Sequence, residues 1–239
     1  MNQSSLHVLA FGAHPDDVEI GMAGTLAKLH NEGLKTGICD LTLADLSSNG
    51  TVDIRKKEAD AAAEILGSTI RVNLGIPDRG IRLDNEQISK VVTVIRTYKP
   101  KLIFIPYQID RHPDHGWCAR LVEEAVFSSA IKNYRDTENL PSHRADAVYY
   151  YFINGFHKPD FCVDISETIT QKIASLKAYA SQFSKADSDR VETPLTNGYI
   201  ETVEARERMM GKEVGVIYAE GFKTARPLLL DSHGLGVNQ

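Results

Sequence analysis

Leu6-His-Val-Leu-Ala-Phe11, running directly into Gly12-Ala-His14-Pro15-Asp16-Asp17-Val18-Glu19, decides the fold of this chain. The first part is an apolar run of strand length. The second places one imidazole and two adjacent carboxylates at its carboxyl end, and Val18–Asn31 then continues with a helical pattern that stops before Gly33. Strand, polar turn and helix in that order open an α/β unit.

The same alternation continues. Lys35–Leu41 predicts a second strand, Thr51–Leu66 a helix closed by Gly67, and Ile70–Leu74 a third strand. In Asn85–Tyr98, Ile88, Val91, Val92 and Ile95 recur at i, i+3, i+4 and i+7, the stripe of a packed helix. Lys101–Pro106 predicts a fourth strand, followed by a helix from Asp114 to Lys132. Farther on, Ala147–Ile153, Phe161–Ile165 and Pro227–Leu230 read as strands, and Thr168–Phe183 and Glu201–Lys212 as helices. Ser184–Asn197 is polar and reads as a surface loop rather than a linker. The pattern predicts one domain over residues 1–239: a Rossmann-like, doubly wound, mainly parallel sheet with helices on both faces and right-handed crossovers. Its expected strand order is 3-2-1-4-5.

Bulk properties narrow the function. The 239 residues are 42% hydrophobic and 25% charged, the balance of an ordinary globular protein. A net charge of −5 gives no reason to expect nucleic acid or an anionic membrane as partner. The amino terminus has no signal-peptide pattern and no run reaches the length of a bilayer span, so a cytoplasmic location is expected. Cys39, Cys118 and Cys162 are scattered and lack C-x-x-C pairing, so they predict neither a disulfide framework nor a zinc knuckle. They read as small buried hydrophobes.

A second polar cluster, Arg111-His112-Pro113-Asp114-His115, follows the fourth strand. In the expected strand order, strands one and four are neighbours across the switch point, where ligands bind outside the carboxyl ends. Topology thus brings the two clusters into one crevice. The turn after strand one lacks G-x-G-x-x-G, and its carboxylates would repel a pyrophosphate, which argues against a dinucleotide. His14, Asp17 and His115 instead supply the three-ligand set of a catalytic zinc site. A cation only partly neutralised there can polarise a carbonyl and acidify water. Asp16 is then the candidate general base. His112, if charged and oriented by Asp114, is a candidate to stabilise an oxyanion. One Zn²⁺ per chain is expected, with Fe²⁺ sharing the same ligand chemistry in the cell.

The A-H-P-D-D-x-E run and the later H-P-D-H together resemble the zinc-dependent N-acetylglucosaminyl deacetylases of the PIG-L/LmbE family. The resemblance implies the same ligands, His14, Asp17 and His115, with Asp16 as base and His112 on the oxyanion side. Ala44–Gly50, Gly75–Gly80, Ile153–Pro159 and Glu213–Phe222 are similar to the bacillithiol-biosynthesis branch, which acts on N-acetylglucosaminyl malate. Related enzymes act on N-acetylglucosamine or chitobiose. The resemblance further implies a small-molecule N-acetylglucosamine conjugate as partner and a homo-oligomer, for which a hexamer is one form.

Other residues carry two readings. Arg55, Arg111 and Arg144 either read the carboxylates of a malyl aglycone or form surface salt bridges; Arg144 is placed only by the resemblance. Ser47, Ser48 and Asn49 either bind sugar hydroxyls or shape a turn. Tyr199 either donates to the oxyanion or packs at the surface. Glu19 either orients a ligand or faces the helix dipole. His7, His30, His143, His157 and His233 have no second ligand nearby and read as structural. Competing functions are a metal phosphoesterase, which more often uses two-metal carboxylate sites, and a non-catalytic sugar- or metal-binding protein.

Overall fold

The computed structural model describes residues 5–184 and 190–230. Among these residues seven strands, β1 (Val8–Gly12), β2 (Thr36–Thr42), β3 (Ile70–Ile76), β4 (Leu102–Pro106), β5 (Ala147–Tyr151), β6 (Phe161–Asp164) and β7 (Ala219–Thr224), form one sheet. Its order is β3-β2-β1-β4-β5-β7-β6. The expected order of the first five strands is present, all in parallel, and β7 joins antiparallel to both β5 and β6.

The helices are α1 (Asp17–Asn31), α2 (Val52–Ile65), α3 (Asn85–Tyr98), α4 (Pro113–Ser129), α5 (Ile169–Ala178), α6 (Ala180–Phe183) and α7 (Tyr199–Val214). Side chains alternate across a strand, so β1 feeds two cores at once. Leu9 and Phe11 join Val91, Ile95, Leu121 and Val122 of α3 and α4 on one face. Val8 and Ala10 join Leu26, Ala62, Leu176 and Val203 of α1, α2, α5 and α7 on the other. A strand buried on both sides has to be apolar throughout, which is why Leu6–Phe11 shows no polar alternation.

Three expectations about elements are corrected. Pro227–Leu230 forms no strand; the last strand among the described residues is Ala219–Thr224, whose apolar pattern is broken by Glu220. That carboxylate is fully buried and paired with Lys172, so tertiary pairing hides the strand signal. The helix expected over Thr168–Phe183 breaks at Tyr179 (φ −83°, ψ 59°), where the buried ring sends its hydroxyl to Glu19 at 2.9 Å. Finally, α4 stops at Ser129 rather than Lys132. The loop expected over Ser184–Asn197 forms no helix or strand in its described part, and residues 185–189 and His233 lie outside the described residues. No helix among the described residues is long and apolar enough to cross a membrane.

Candidate active site

The loops leaving the carboxyl ends of β1 and β4 meet, because these strands are hydrogen-bonded neighbours. They line a cavity of about 240 Å³ with His14, Asp16, Asp17, Arg111, His112 and His115 on its wall. The loops after β2 and β3 add Ser47, Asn49 and Asp78, α2 adds Arg55, the segment leading into α7 adds Thr193 and Leu195, and α7 itself adds Tyr199.

Asp17 is the centre of the cluster. Its Oδ2 accepts the His14 backbone N–H at 2.9 Å and lies 3.5 Å from His14 Nδ1, while its Oδ1 lies 3.1 Å from His115 Nε2. The opposite nitrogen of each ring also meets a carboxylate. His14 Nε2 is 3.3 Å from Asp78 and 3.5 Å from Asp114, and His115 Nδ1 is 2.9 Å from Asp110. Carboxylate, imidazole and shared central acid form the arrangement by which outer groups orient metal-binding histidines. His14, His112 and His115 present ring nitrogens within 4.8 Å of one another, and His14, Asp78 and Asp114 form a second group of the same reach.

The electrostatics demand positive charge here. Burial alone would lower the His14 pKa, yet Asp114, Asp17 and Asp78 raise it well above the ordinary value. Burial likewise opposes charge on His115, but Asp17 and Asp110 push it up to about 9. Burial would raise Asp17, and His115 and His14 instead hold it well below the usual carboxylate range. A divalent cation satisfies the same carboxylates while leaving both imidazoles neutral, so the donor set fits one.

Asp16 is set apart from its neighbour by the backbone. Its φ of 110° lies in the left-handed region, which a non-glycine residue adopts only under local constraint. The turn sends Asp16 Oδ2 to Arg55 Nη2 at 3.1 Å, away from the histidines that Asp17 contacts. Burial pushes the Asp16 pKa up to about 7, against the opposing pull of Arg55. His112 caps α4: its Nδ1 accepts the Asp114 N–H at 3.3 Å. The neutral ring therefore carries its proton on Nε2. Burial and the neighbouring His14 and His115 lower its pKa and favour that neutral form.

Several expectations change. Asp114 does not orient His112 through its carboxylate, which bonds instead to the Arg79 side chain at 2.5 Å and backbone N–H at 2.9 Å. Arg55 is 2% exposed and lines the cavity, donating to Ser47 Oγ at 2.7 Å, to Asp16 and to the Pro15 carbonyl, while its buried Nε has no hydrogen-bond partner among the described residues. It holds the candidate base from the cavity wall. Arg144 lies outside the cavity, in a groove with Phe127 and Ile131. It precedes the start of β5, at the amino edge of the sheet, whereas the site lies at the carboxyl edge. Asn49 is buried and pairs through both side-chain ends with the Val191 backbone, at 2.8 and 2.9 Å. Glu19 neither orients a ligand nor faces the dipole alone; it binds Arg71 at 2.5 Å, and Arg71 in turn grips Asp40.

Others reach the site. Arg111 and Ser47 line the cavity, and Tyr199, at the start of α7, donates to Asn154 Oδ1 at 3.0 Å. Sequence reasoning missed Asp78, Asp110 and Asn154. Asn154 Nδ2 donates to Asp110 Oδ1 at 2.9 Å, completing a chain from Tyr199 to His115. Asp78 and Asn154 lie within segments similar to the bacillithiol branch, Gly75–Gly80 and Ile153–Pro159, and Asp110 was signalled only by its position after strand four, on the same edge as the clusters.

Fold and site together define an α/β protein whose switch-point pocket gathers histidines and carboxylates able to hold a cation. Residues 9–126 match the family described as PIG-L: GlcNAc-PI de-N-acetylase. Diacetylchitobiose deacetylase of Thermococcus kodakarensis is 31% identical over 229 residues, covering 90% of this chain and 82% of that protein. Probable N-acetyl-alpha-D-glucosaminyl L-malate deacetylase 2 of Bacillus anthracis is 25% identical, covering 84% and 92%. The solved structure of the conserved protein TT1542 from Thermus thermophilus aligns with a TM-score of 0.86 and 37% identity, over 95% of this chain and 97% of that one. The chain belongs to the PIG-L family.

Proposed function

We propose that this protein hydrolyses the N-acetyl group of an N-acetylglucosaminyl compound, using a divalent cation held by His14, Asp17 and His115. The observation that carries the reading is the division of labour between adjacent carboxylates: Asp17 faces two imidazoles, and Asp16 faces Arg55 and the cavity. Zn²⁺, one per chain, is the cation proposed, with Fe²⁺ as the cellular alternative; when bound it polarises the amide carbonyl and makes water easier to deprotonate. Asp16 takes the proton from water as the water oxygen bonds to the acetyl carbon. It returns that proton to the sugar nitrogen as the carbon–nitrogen bond breaks, releasing acetate and a free amine. His112 donates from Nε2 to the oxygen that becomes negative on the way; Tyr199 becomes a second donor there on turning its one hydroxyl hydrogen away from Asn154.

The cavity supports a substrate with one sugar ring inside, being smaller than the roughly 300–1,000 Å³ of pockets for larger ligands. An aglycone then sits at the rim, where exposed Arg111 makes no ion pair among the described residues. A malyl aglycone, as in bacillithiol biosynthesis, is the preferred reading because a guanidinium suits its carboxylates. A neutral aglycone, as in diacetylchitobiose, is the second reading, favoured by the bonds Arg55 already makes to Ser47 and Asp16 and by the remoteness of Arg144. Self-association is supported by an apolar groove holding Phe127, 71% exposed, and Leu229, fully exposed.

The deciding experiment measures acetate released from N-acetylglucosamine, N,N′-diacetylchitobiose and N-acetylglucosaminyl malate, with and without chelator. Chelator-sensitive release, fastest from the malate, is expected. No acetate from any of the three, with cation supplied, would overturn the reading.

A further inference from the structure

Helix α1, which begins at Asp17, is not continuous. Met22 has φ −151° and ψ 20°, so the helix is two segments joined by one non-helical residue. Such a break leaves amide and carbonyl groups unpaired in the core unless side chains replace the lost bonds. Here they do. Glu220 of β7 accepts the Gly24 and Thr25 N–H groups at 2.9 and 2.7 Å, capping the second segment. Lys172 of α5 and Arg206 of α7 donate to the Ile20 carbonyl at 2.9 and 2.8 Å, closing the first. Lys172 also pairs with Glu220 and Glu207, and Arg206 with Glu207, so two cations, Lys172 buried and Arg206 partly buried, and two buried carboxylates neutralise one another.

Arg206 does more than cap. Its second guanidinium nitrogen donates to the Ile153 carbonyl at 2.9 Å, just past β5. Ile20 and Ile153 both line the catalytic cavity. The Ile153 carbonyl also lies 3.3 Å from the Tyr199 hydroxyl. One guanidinium thus ties the segment that carries Asp17 to the wall that carries Asn154 and Tyr199. A planar fork with fixed donor directions can hold two carbonyls in register; an ammonium cannot hold both in the same geometry.

We propose that Arg206 is a positioning residue for the active site, fixing the first segment of α1 against the end of β5, with Lys172 and Glu220 maintaining the break at Met22. The proposal rests on the assignment of Asp16 and Asp17 made above. It is tested by measuring Zn²⁺ affinity by chelator competition, kcat, KM and Tm for Arg206→Met, Arg206→Gln and Arg206→Lys. Val91→Ala, on the opposite face of the sheet, serves as a control that loses stability without touching the site. Outer groups that orient metal ligands typically change affinity or activity by about 10- to 100-fold. Arg206→Met is expected to weaken Zn²⁺ binding and lower kcat in that range, Arg206→Lys to recover part of both, and Val91→Ala to change neither. If Arg206→Met does not fold, Arg206→Gln, which keeps a donor for one carbonyl, carries the same expectation. Zn²⁺ affinity and kcat within twofold of wild type in a folded Arg206 variant would overturn the proposal. A wild-type protein that binds no Zn²⁺ would instead refute the cation reading, and the kcat ratio alone would then decide on Arg206.

Discussion

Asp16 and Asp17 are adjacent and chemically identical, yet one turn of backbone gives them different work. The positive φ at Asp16 turns its carboxylate toward Arg55, while Asp17 stays with the histidines. Asp16→Asn keeps the shape and removes the proton acceptor, so it should retain the cation and lose activity by about 100-fold or more. Metal content together with kcat checks this, and unchanged turnover would remove Asp16 as the base. Arg111 reads at the same scale. Arg111→Ala should raise KM for the malyl glycoside by about tenfold and leave KM for N-acetylglucosamine nearly unchanged, one charged hydrogen bond being worth about 1.5–3 kcal/mol. An equal rise for both substrates would mean that this side chain does not read the malate. Both residues were visible in sequence, because each stands beside a motif. Asp110 was not, and Asp78 stood in a family-like segment without a role, since an aspartate in a loop shows no partner until the fold brings it to a ring nitrogen.

At the scale of elements, α3 anchors the connection between α4 and β5 through one buried arginine. Arg96, 1% exposed, donates to the Ser129, Ile131, Tyr134 and Leu140 carbonyls and pairs with Asp136 at 2.7 Å. Asp136 also accepts the Glu138 and Leu140 N–H groups. Burial would raise its pKa, but Arg96 and these N–H groups bring it below the ordinary 3.8. A depressed native value means that the folded state binds fewer protons in acid than the unfolded chain. The resulting stability is therefore complete above about pH 4 and lost as pH falls through the native value. Asp136→Asn should cost about 3 kcal/mol at pH 7, as expected for an unpaired buried guanidinium. In urea unfolding, the gap between variant and wild type should narrow steadily below pH 3.8; a gap independent of pH would show that the ion pair contributes nothing. Helix α3 itself was legible from its apolar stripe, whereas the partners of Arg96 lie more than thirty positions away and follow from no local period.

At the scale of the molecule, the exposed groove carrying Phe127, Ile131 and Leu229 is where a second copy is expected to bind. Phe127→Asp should shift sedimentation to a smaller species while leaving Zn²⁺ affinity intact, and an unchanged distribution would exclude this face. By itself the sequence determined the order of the first five strands, the helices that cover them and the meeting of the two histidine–aspartate clusters. These follow from apolar periodicity, chain direction and the handedness of crossovers, all properties of local pattern. Only the tertiary structure decided which polar residues line the cavity and which bind one another. It gave Arg55 the carboxylate of Asp16 as its partner on the cavity wall, left Arg144 at the opposite edge of the sheet, and revealed Glu220 and Arg206 as the groups that replace the backbone bonds missing at Met22. The reason is physical: a buried charge takes its role from whichever opposite charge or unpaired backbone group lies within about 3 Å, and that neighbour is set by folding rather than by position in the chain.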